Sequence, residues 1–278
     1  MTFAAWLIAA ALTITPTSRA MQPGELVVLD ITSETPVTAV SARAFNTALT
    51  GFATDASDPR HWRLLVGIDL DATVGRHPVV VTATSAAGPI EATYVITVAP
   101  KTFPTRRLTV DPAFVNPPAS ARPRIEAESK EQQAIWDSSA TTRLWLSPFV
   151  RPVTQAANSA FGTRSVFNGE PKNAHTGADF LSPAGTPIKA PNAGRVRLAK
   201  DLYYSGNCVI IDHGLGVFSY FAHLSKINVA VGDMVTPGQI VGLVGATGRV
   251  TGPHLHWTMK VSGARVDPLS LLMLLGAR

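Results

Sequence analysis

The stretch Gly252-Pro253-His254-Leu255-His256-Trp257-Thr258 sets two imidazoles one residue apart. An extended strand sends successive side chains to opposite faces, so His254 and His256 share one face while Leu255 packs beneath. Two adjacent imidazoles in a core compete for scarce partners, and each buried polar group left unpaired costs roughly 1–3 kcal/mol. A metal removes the difficulty, with one ring on the ion and the other beside its water.

A second cluster lies upstream, in Asn173-Ala174-His175-Thr176-Gly177-Ala178-Asp179-Phe180. The four-residue spacing of His175 and Asp179 would suit one helix face, but Gly177, Pro171 and Pro183 argue against a helix. We read a turn delivering His175 and a strand beginning near Asp179. Taken alone, the two residues fit a hydrogen-bonded pair as well as they fit a metal. Taken with His256 they supply three ligands and leave the fourth tetrahedral position of one Zn2+ ion to water, the arrangement of a catalytic zinc. Zinc lowers the pKa of such a water to roughly 7. His254 is then the proton acceptor, and His223, in Tyr220-Phe221-Ala222-His223-Leu224, orients the water or stabilises the oxyanion. Spacing leaves open an exchange of roles between His254 and His256. His213 reads as a histidine bonded to backbone, since the ligand count is complete without it. His61 and His77 stand apart and read as structural or surface residues, and Cys208, in an apolar run, reads as a small buried hydrophobe.

Composition bounds the rest. Hydrophobic residues make up 46% and charged residues 15% of 278, which suits folded β structure and excludes a solvated polyelectrolyte. Of the net charge of +5, the surplus sits late: residues 145–278 hold 12 basic and 6 acidic side chains, against 12 and 13 before them. Those cations are scattered singly rather than clustered among aromatics, so nucleic acid is not expected as a partner. A single cysteine forbids an intrachain disulfide. Residues 1–20 carry a short apolar run and end in Ser18-Arg19-Ala20, which reads as a signal peptide without a preceding Lys or Arg. An exported protein of the periplasm or cell envelope, or a secreted one, is expected, with no membrane span after removal of the leader.

Residues 21–111 show short β-branched runs between turn residues and predict a small immunoglobulin-like β-sandwich. Prolines punctuate residues 112–144, an extended linker in which Arg124 to Ser139 predicts a solvated helix. From 145 to 278 strands broken by glycine and proline predict a second all-β unit holding five of the seven histidines.

Residues 161–268 resemble the lysostaphin/LytM-type zinc endopeptidases of bacterial cell walls, through Phe161-Gly162, His175-x-x-x-Asp179, Asp212-His213-Gly214, Tyr220 to Leu224, Val231-Gly232-Asp233 and His254-Leu255-His256. The resemblance implies an antiparallel β fold with a groove, zinc on His175, Asp179 and His256, assistance from His254 and His223, and peptidoglycan as substrate. Several members carry a tyrosine shortly before the first ligand; here Ser165-Val166-Phe167-Asn168-Gly169 has none, and Asn168 reads as a turn residue. Two other readings compete with this one. A non-catalytic wall-binding or amidase-activating relative would usually lack metal ligands, and this chain keeps them. A lipoyl-carrier-like hairpin at Val229 to Gly245 leaves the histidines unexplained. Protein partners are not legible.

Overall fold

Four apolar residues in a row, Leu26-Val27-Val28-Leu29, are all buried, although successive strand residues face opposite ways. Both faces of that strand must therefore be covered, and the architecture follows from it. The structure, a computed structural model, describes residues 11–109, 117–157, 161–171 and 173–277.

Strands β1 (Leu12–Ser18), β2 (Leu26–Ser33), β5 (Phe52–Ala53) and β6 (His61–Gly67) form one antiparallel sheet in the order β1-β2-β6-β5. Strands β3 (Val37–Ala44), β4 (Thr47–Thr50), β7 (Gly75–Ser85) and β8 (Gly88–Val98) form a second, in the order β4-β3-β7-β8. Val27, Leu29, Leu64 and Val66 meet Val40, Val79 and Val81 between the two sheets, which is the expected sandwich. Leu26, Val28 and Leu65 point the other way, into the core of the C-terminal unit.

The sandwich begins earlier than residue 21. Residues 12–18, expected within the leader, pair with β2 through seven positions from Leu12–Ser33 to Ser18–Val27. Their Leu12-Thr13-Ile14-Thr15 alternation turns Leu12 and Ile14 toward the sandwich core. Residues 1–10 of that expected leader lie outside the described residues, as do 110–111 at the end of the expected sandwich and 112–116 at the start of the linker.

The end of the 21–111 stretch departs from the expected sandwich and joins a separate small sheet. Strand β9 (Thr105–Leu108) runs parallel to β10 (Arg164–Phe167), which pairs with β11 (Glu170–Pro171). Helix α1 (Arg122–Trp136) is largely exposed, and its end packs Ile135 and Trp136 against Leu198, Cys208 and Phe218.

The C-terminal unit is one antiparallel sheet built from β12 (Gly177–Phe180), β13 (Pro187–Lys189), β14 (Gly194–Leu202), β15 (Gly206–Gly214), β16 (Val217–Ile227), β17 (Met234–Val235), β18 (Ile240–Val244), β19 (Leu255–Val261) and β20 (Ala264–Val266). Its main path is β12-β19-β16-β15-β14-β17. Helix α2 (Pro268–Leu275) closes the chain, capped by the Asp267 carboxylate, which accepts from Leu269 N–H at 3.0 Å. Among the described residues no helix is long and apolar enough to cross a membrane.

Charge pins the two units together. Arg19 reaches Glu25 at 2.8 Å and Asp267 at 2.6 Å, and Lys101 adds a 3.0 Å contact to Glu25. Burial opposes ionisation of Glu25, yet the hydrogen bonds from Arg19 and Lys101 hold its carboxyl below the usual range. Arg265 likewise grips Asp69 and Asp71 of the sandwich.

His213, in β15, is fully buried. Its Nδ1–H donates to the Ala193 carbonyl at 2.7 Å, which leaves Nε2 to accept from the Ser219 hydroxyl at 2.8 Å. Burial pushes its pKa from 6.5 down to about 4, against the weaker pull of Asp212. The unfolded chain therefore takes a proton first, so the stabilisation is complete above pH 6.5 and drains away as the pH falls toward 4. At 1.36 kcal/mol per pKa unit the loss amounts to about 3 kcal/mol at most. Urea melts of wild type and His213→Gln across this range should show the wild type losing more stability on acidification; parallel curves would contradict the assignment.

Candidate metal centre

Three neighbouring strands assemble the centre. β12 lies antiparallel to β19 with Asp179 directly opposite His256, and β16 flanks β19 on its other side with Ala222 opposite His256. Alternation sorts the side chains: Ala178, Phe180, Leu255 and Trp257 go into the core, while Asp179, His254 and His256 emerge on the other face. His175 precedes β12 in a loop, as expected from its turn residues. His223 follows Ala222 on β16 with a φ of 67°, a left-handed conformation rare for a residue with a side chain. Such strain persists only where the surroundings impose it, and it collects at functional sites. Here the His223 N–H donates to the Ser205 carbonyl at 2.9 Å and its ring Nδ1 to the Thr247 carbonyl at 3.0 Å.

The expected ligand atoms converge. His175 Nε2 lies 2.9 Å from Asp179 Oδ1 and 2.9 Å from His256 Nδ1, and His256 Nδ1 lies 3.0 Å from Asp179 Oδ1. His254 Nε2 stands 3.9 Å from the same carboxylate oxygen, and the His223 ring lies 5.0 Å from that of His254 and 6.0 Å from that of His256. All five residues named from the sequence thus meet in one place. Protons alone satisfy this triangle poorly: if both rings donate to Asp179, two N–H groups face each other, and if one ring accepts from the other, a carboxylate contact is lost. Two imidazoles and a carboxylate are the donor set of zinc, and a cation meets all three at once, so these residues fit the metal.

Electrostatics agree with that donor set. Burial opposes ionisation of Asp179, but the hydrogen bonds from His175 and His256 hold its carboxyl far below the usual range. Burial lowers the pKa of His256, and burial together with the neighbouring His256 ring brings His223 down to about 4. The His256 and His223 rings are thereby held in the neutral form that carries a lone pair.

Some functional neighbours escaped the sequence reading. Thr258 Oγ1 holds His256 Nε2 from behind at 2.9 Å, and the Gly252 carbonyl holds His254 Nδ1 at 2.9 Å. Thr258 stands two residues beyond His256 on the same strand face, so alternation alone would have found it. Gly177 is more than a helix breaker: a Cβ there would meet the Trp257 carbonyl oxygen at 2.4 Å and the His256 ring at 2.9 Å. The other candidates lie elsewhere. Asn168 and Gly169, both at positive φ, make the two-residue turn between β10 and β11. His61 contacts Asp58 and His77 contacts the Thr73 carbonyl. Burial raises the Cys208 thiol to about 12, consistent with an inert side chain.

Comparisons with known proteins bear on this geometry. The family model Peptidase family M23 matches residues 173–268, which include all five site residues. The Peptidoglycan DD-endopeptidase ShyA of Vibrio cholerae is 45% identical over 95 residues, 34% of this chain and 22% of that protein. The DD-carboxypeptidase/endopeptidase Mpg of Neisseria meningitidis serogroup B is 41% identical over 99 residues, 36% of this chain and 23% of that protein. The match therefore spans less than a quarter of the length of either curated relative. A candidate peptidase M23 from Pseudomonas aeruginosa, known from its crystal structure, is 32% identical, covers 91% of this chain and 96% of its own, and superposes with a TM-score of 0.71. Alike over nearly its whole length, sandwich included, the chain belongs to peptidase family M23.

Proposed function

We propose that the protein is a zinc-dependent endopeptidase that hydrolyses peptide bonds of bacterial peptidoglycan in the cell envelope, and that His175, Asp179 and His256 hold one zinc ion. The observation that carries this reading is the convergence of three ligand atoms within 3.0 Å, with two further imidazoles alongside. The relatives named above, two of them DD-endopeptidases by name, support peptidoglycan as the substrate and favour stem-peptide crosslinks over glycine bridges as the bond that is cut. The alternative of a wall-binding relative without catalysis gains nothing from a complete donor set.

Zinc bound there supplies a Lewis acid that acidifies water and polarises a carbonyl. The protein's own groups do the rest. The Nδ1–H of His254 donates to the Gly252 carbonyl, so its Nε2 lone pair faces the ligand cluster. That nitrogen takes the proton of the attacking water and delivers it to the leaving amine. His223, fixed at Nδ1 by the Thr247 carbonyl, presents its own Nε2 lone pair. That favours the first of its two expected roles: in the neutral form it accepts a hydrogen bond from water, and stabilising an oxyanion would require a second proton. Thr258 engages Nε2 of the His256 ring, which would leave its Nδ1 lone pair available to a bound metal.

Digestion of purified peptidoglycan by the zinc-loaded chain, with mass spectrometry of the released termini, tests the proposal. New peptide termini are expected, lost on chelation and restored by zinc. His254→Ala should keep one zinc per chain and lose roughly 10²–10⁴-fold in rate. A zinc-loaded wild type that releases no termini would leave a binding role instead.

The strain at His223 gives an independent check. His223→Gly and His223→Ala both remove the ring, but glycine adopts the 67° φ freely. The glycine variant should be the more stable by about 1 kcal/mol while both lose activity; equal stability would mean the backbone there is unstrained.

A further inference from the structure

His175 enters the ligand triangle from a loop rather than a strand, and no group among the described residues meets its Nδ1. A metal-binding imidazole is ordinarily oriented by a hydrogen bond to its other nitrogen, as Thr258 does for His256. For His175 the main chain must do that work. Its N–H donates to the Thr163 carbonyl at 2.9 Å, and its carbonyl accepts from the Gly162 N–H at 2.7 Å.

Residues 162 and 163 are in turn fixed from the N-terminal side. The buried Phe161 ring meets the Phe103 ring edge-on at 6.4 Å. A Cβ on Gly162 would strike the Phe103 ring at 2.1 Å, and one on Gly24 would strike Phe161 at 2.3 Å, so both backbones lie directly against an aromatic face. Gly24 is itself tied down, donating to the Ile68 carbonyl at 2.8 Å and accepting from the Asp267 N–H at 2.7 Å. The Arg164 N–H donates to the Pro104 carbonyl at 2.8 Å, and from there β9 follows β10 in parallel from Thr105–Arg164 to Leu108–Phe167. Gly24, Phe161, Phe103 and Gly162 thus form one stack from the sandwich, through the linker, to the loop that carries His175.

We propose that Phe103 and strand β9 are positioning elements for His175, so that the N-terminal half of the chain helps set the geometry of the metal centre. The proposal rests on reading His175 as a ligand, and it goes beyond that reading in giving the sandwich and linker a task. Truncating Phe103 leaves a cavity beside Phe161 and Gly162, frees the loop and loosens the two hydrogen bonds that hold His175. Thr258 still orients His256, so the loss falls on one ligand.

The test uses the full chain with Phe103→Ala and Phe103→Leu and reads two quantities. Amide hydrogen exchange in the metal-free protein should accelerate at least about tenfold at Gly162 and His175 in Phe103→Ala while β14 to β16 keep wild-type protection. Zinc affinity, measured by competition with a chelator, should weaken by about 10–100-fold in the same variant and return to within about threefold of wild type in Phe103→Leu. Unchanged exchange at those two amides, or wild-type zinc affinity despite faster exchange, would overturn the proposal. Should Phe103→Ala fail to fold, Phe103→Val takes its place: a severalfold loss of zinc affinity with faster exchange at Gly162 and His175 supports the clamp, and no change in either refutes it. A wild type that binds no zinc would sink the metal reading, whereas the exchange experiment still judges the clamp without metal.

Discussion

The register of β12 against β19 is the constraint on which the rest depends. Asp179 sits opposite His256, so a carboxylate and an imidazole on adjacent strands emerge on the same face at contact distance. Strand periodicity makes this all-or-none: a slip of one residue would bury Asp179 and turn Ala178 and Phe180 outward. Two features hold the register. Ala178 and Phe180 fill the core beside Leu255 and Trp257, and Gly177 lets the backbone of β12 approach the Trp257 carbonyl more closely than any side chain would permit. The four-residue spacing of His175 and Asp179 is thus a consequence of where the turn ends and the strand begins.

Much of this was legible because it is local. Alternation in His254-Leu255-His256 foretold which side chains share a face, and the proline and glycine around His175 foretold a turn. Part of what was missed depends on contacts far away in the chain. Strand β1 hid because Leu12 and Ile14 continue an apolar run that also reads as a leader, and only their alternation with Thr13 and Thr15, paired against β2, distinguishes the two. Strand β9 falls inside the 21–111 stretch expected to be sandwich, but it pairs in parallel with β10, a partner beyond the helix that local pattern does not reveal. Helix α2 was missed even though Asp267-Pro268 is a capping residue followed by a proline suited to the first helical turn.

The two halves are joined more firmly than a proline-rich linker implies. Alternate residues of β2 and β6 feed two cores, and Arg19, Lys101 and Arg265 neutralise carboxylates drawn from both sides of the junction. Removing one partner from a buried ion pair costs roughly 3–5 kcal/mol, because the other charge is left without water. Glu25 and Asp267 are buried deeply enough for that cost to apply. A sandwich fixed in this way is a suitable abutment for the Phe103–Phe161 contact and the loop that carries His175 behind it.

Zinc K-edge X-ray absorption on the metal-loaded chain tests the central claim most directly, because it reads which atoms surround the ion. The account predicts one zinc in a four-coordinate shell of nitrogen and oxygen, with multiple-scattering features of two imidazoles and first-shell distances of about 2.0–2.1 Å. A sulfur in the shell, a single imidazole, or failure to retain one zinc per chain would contradict it.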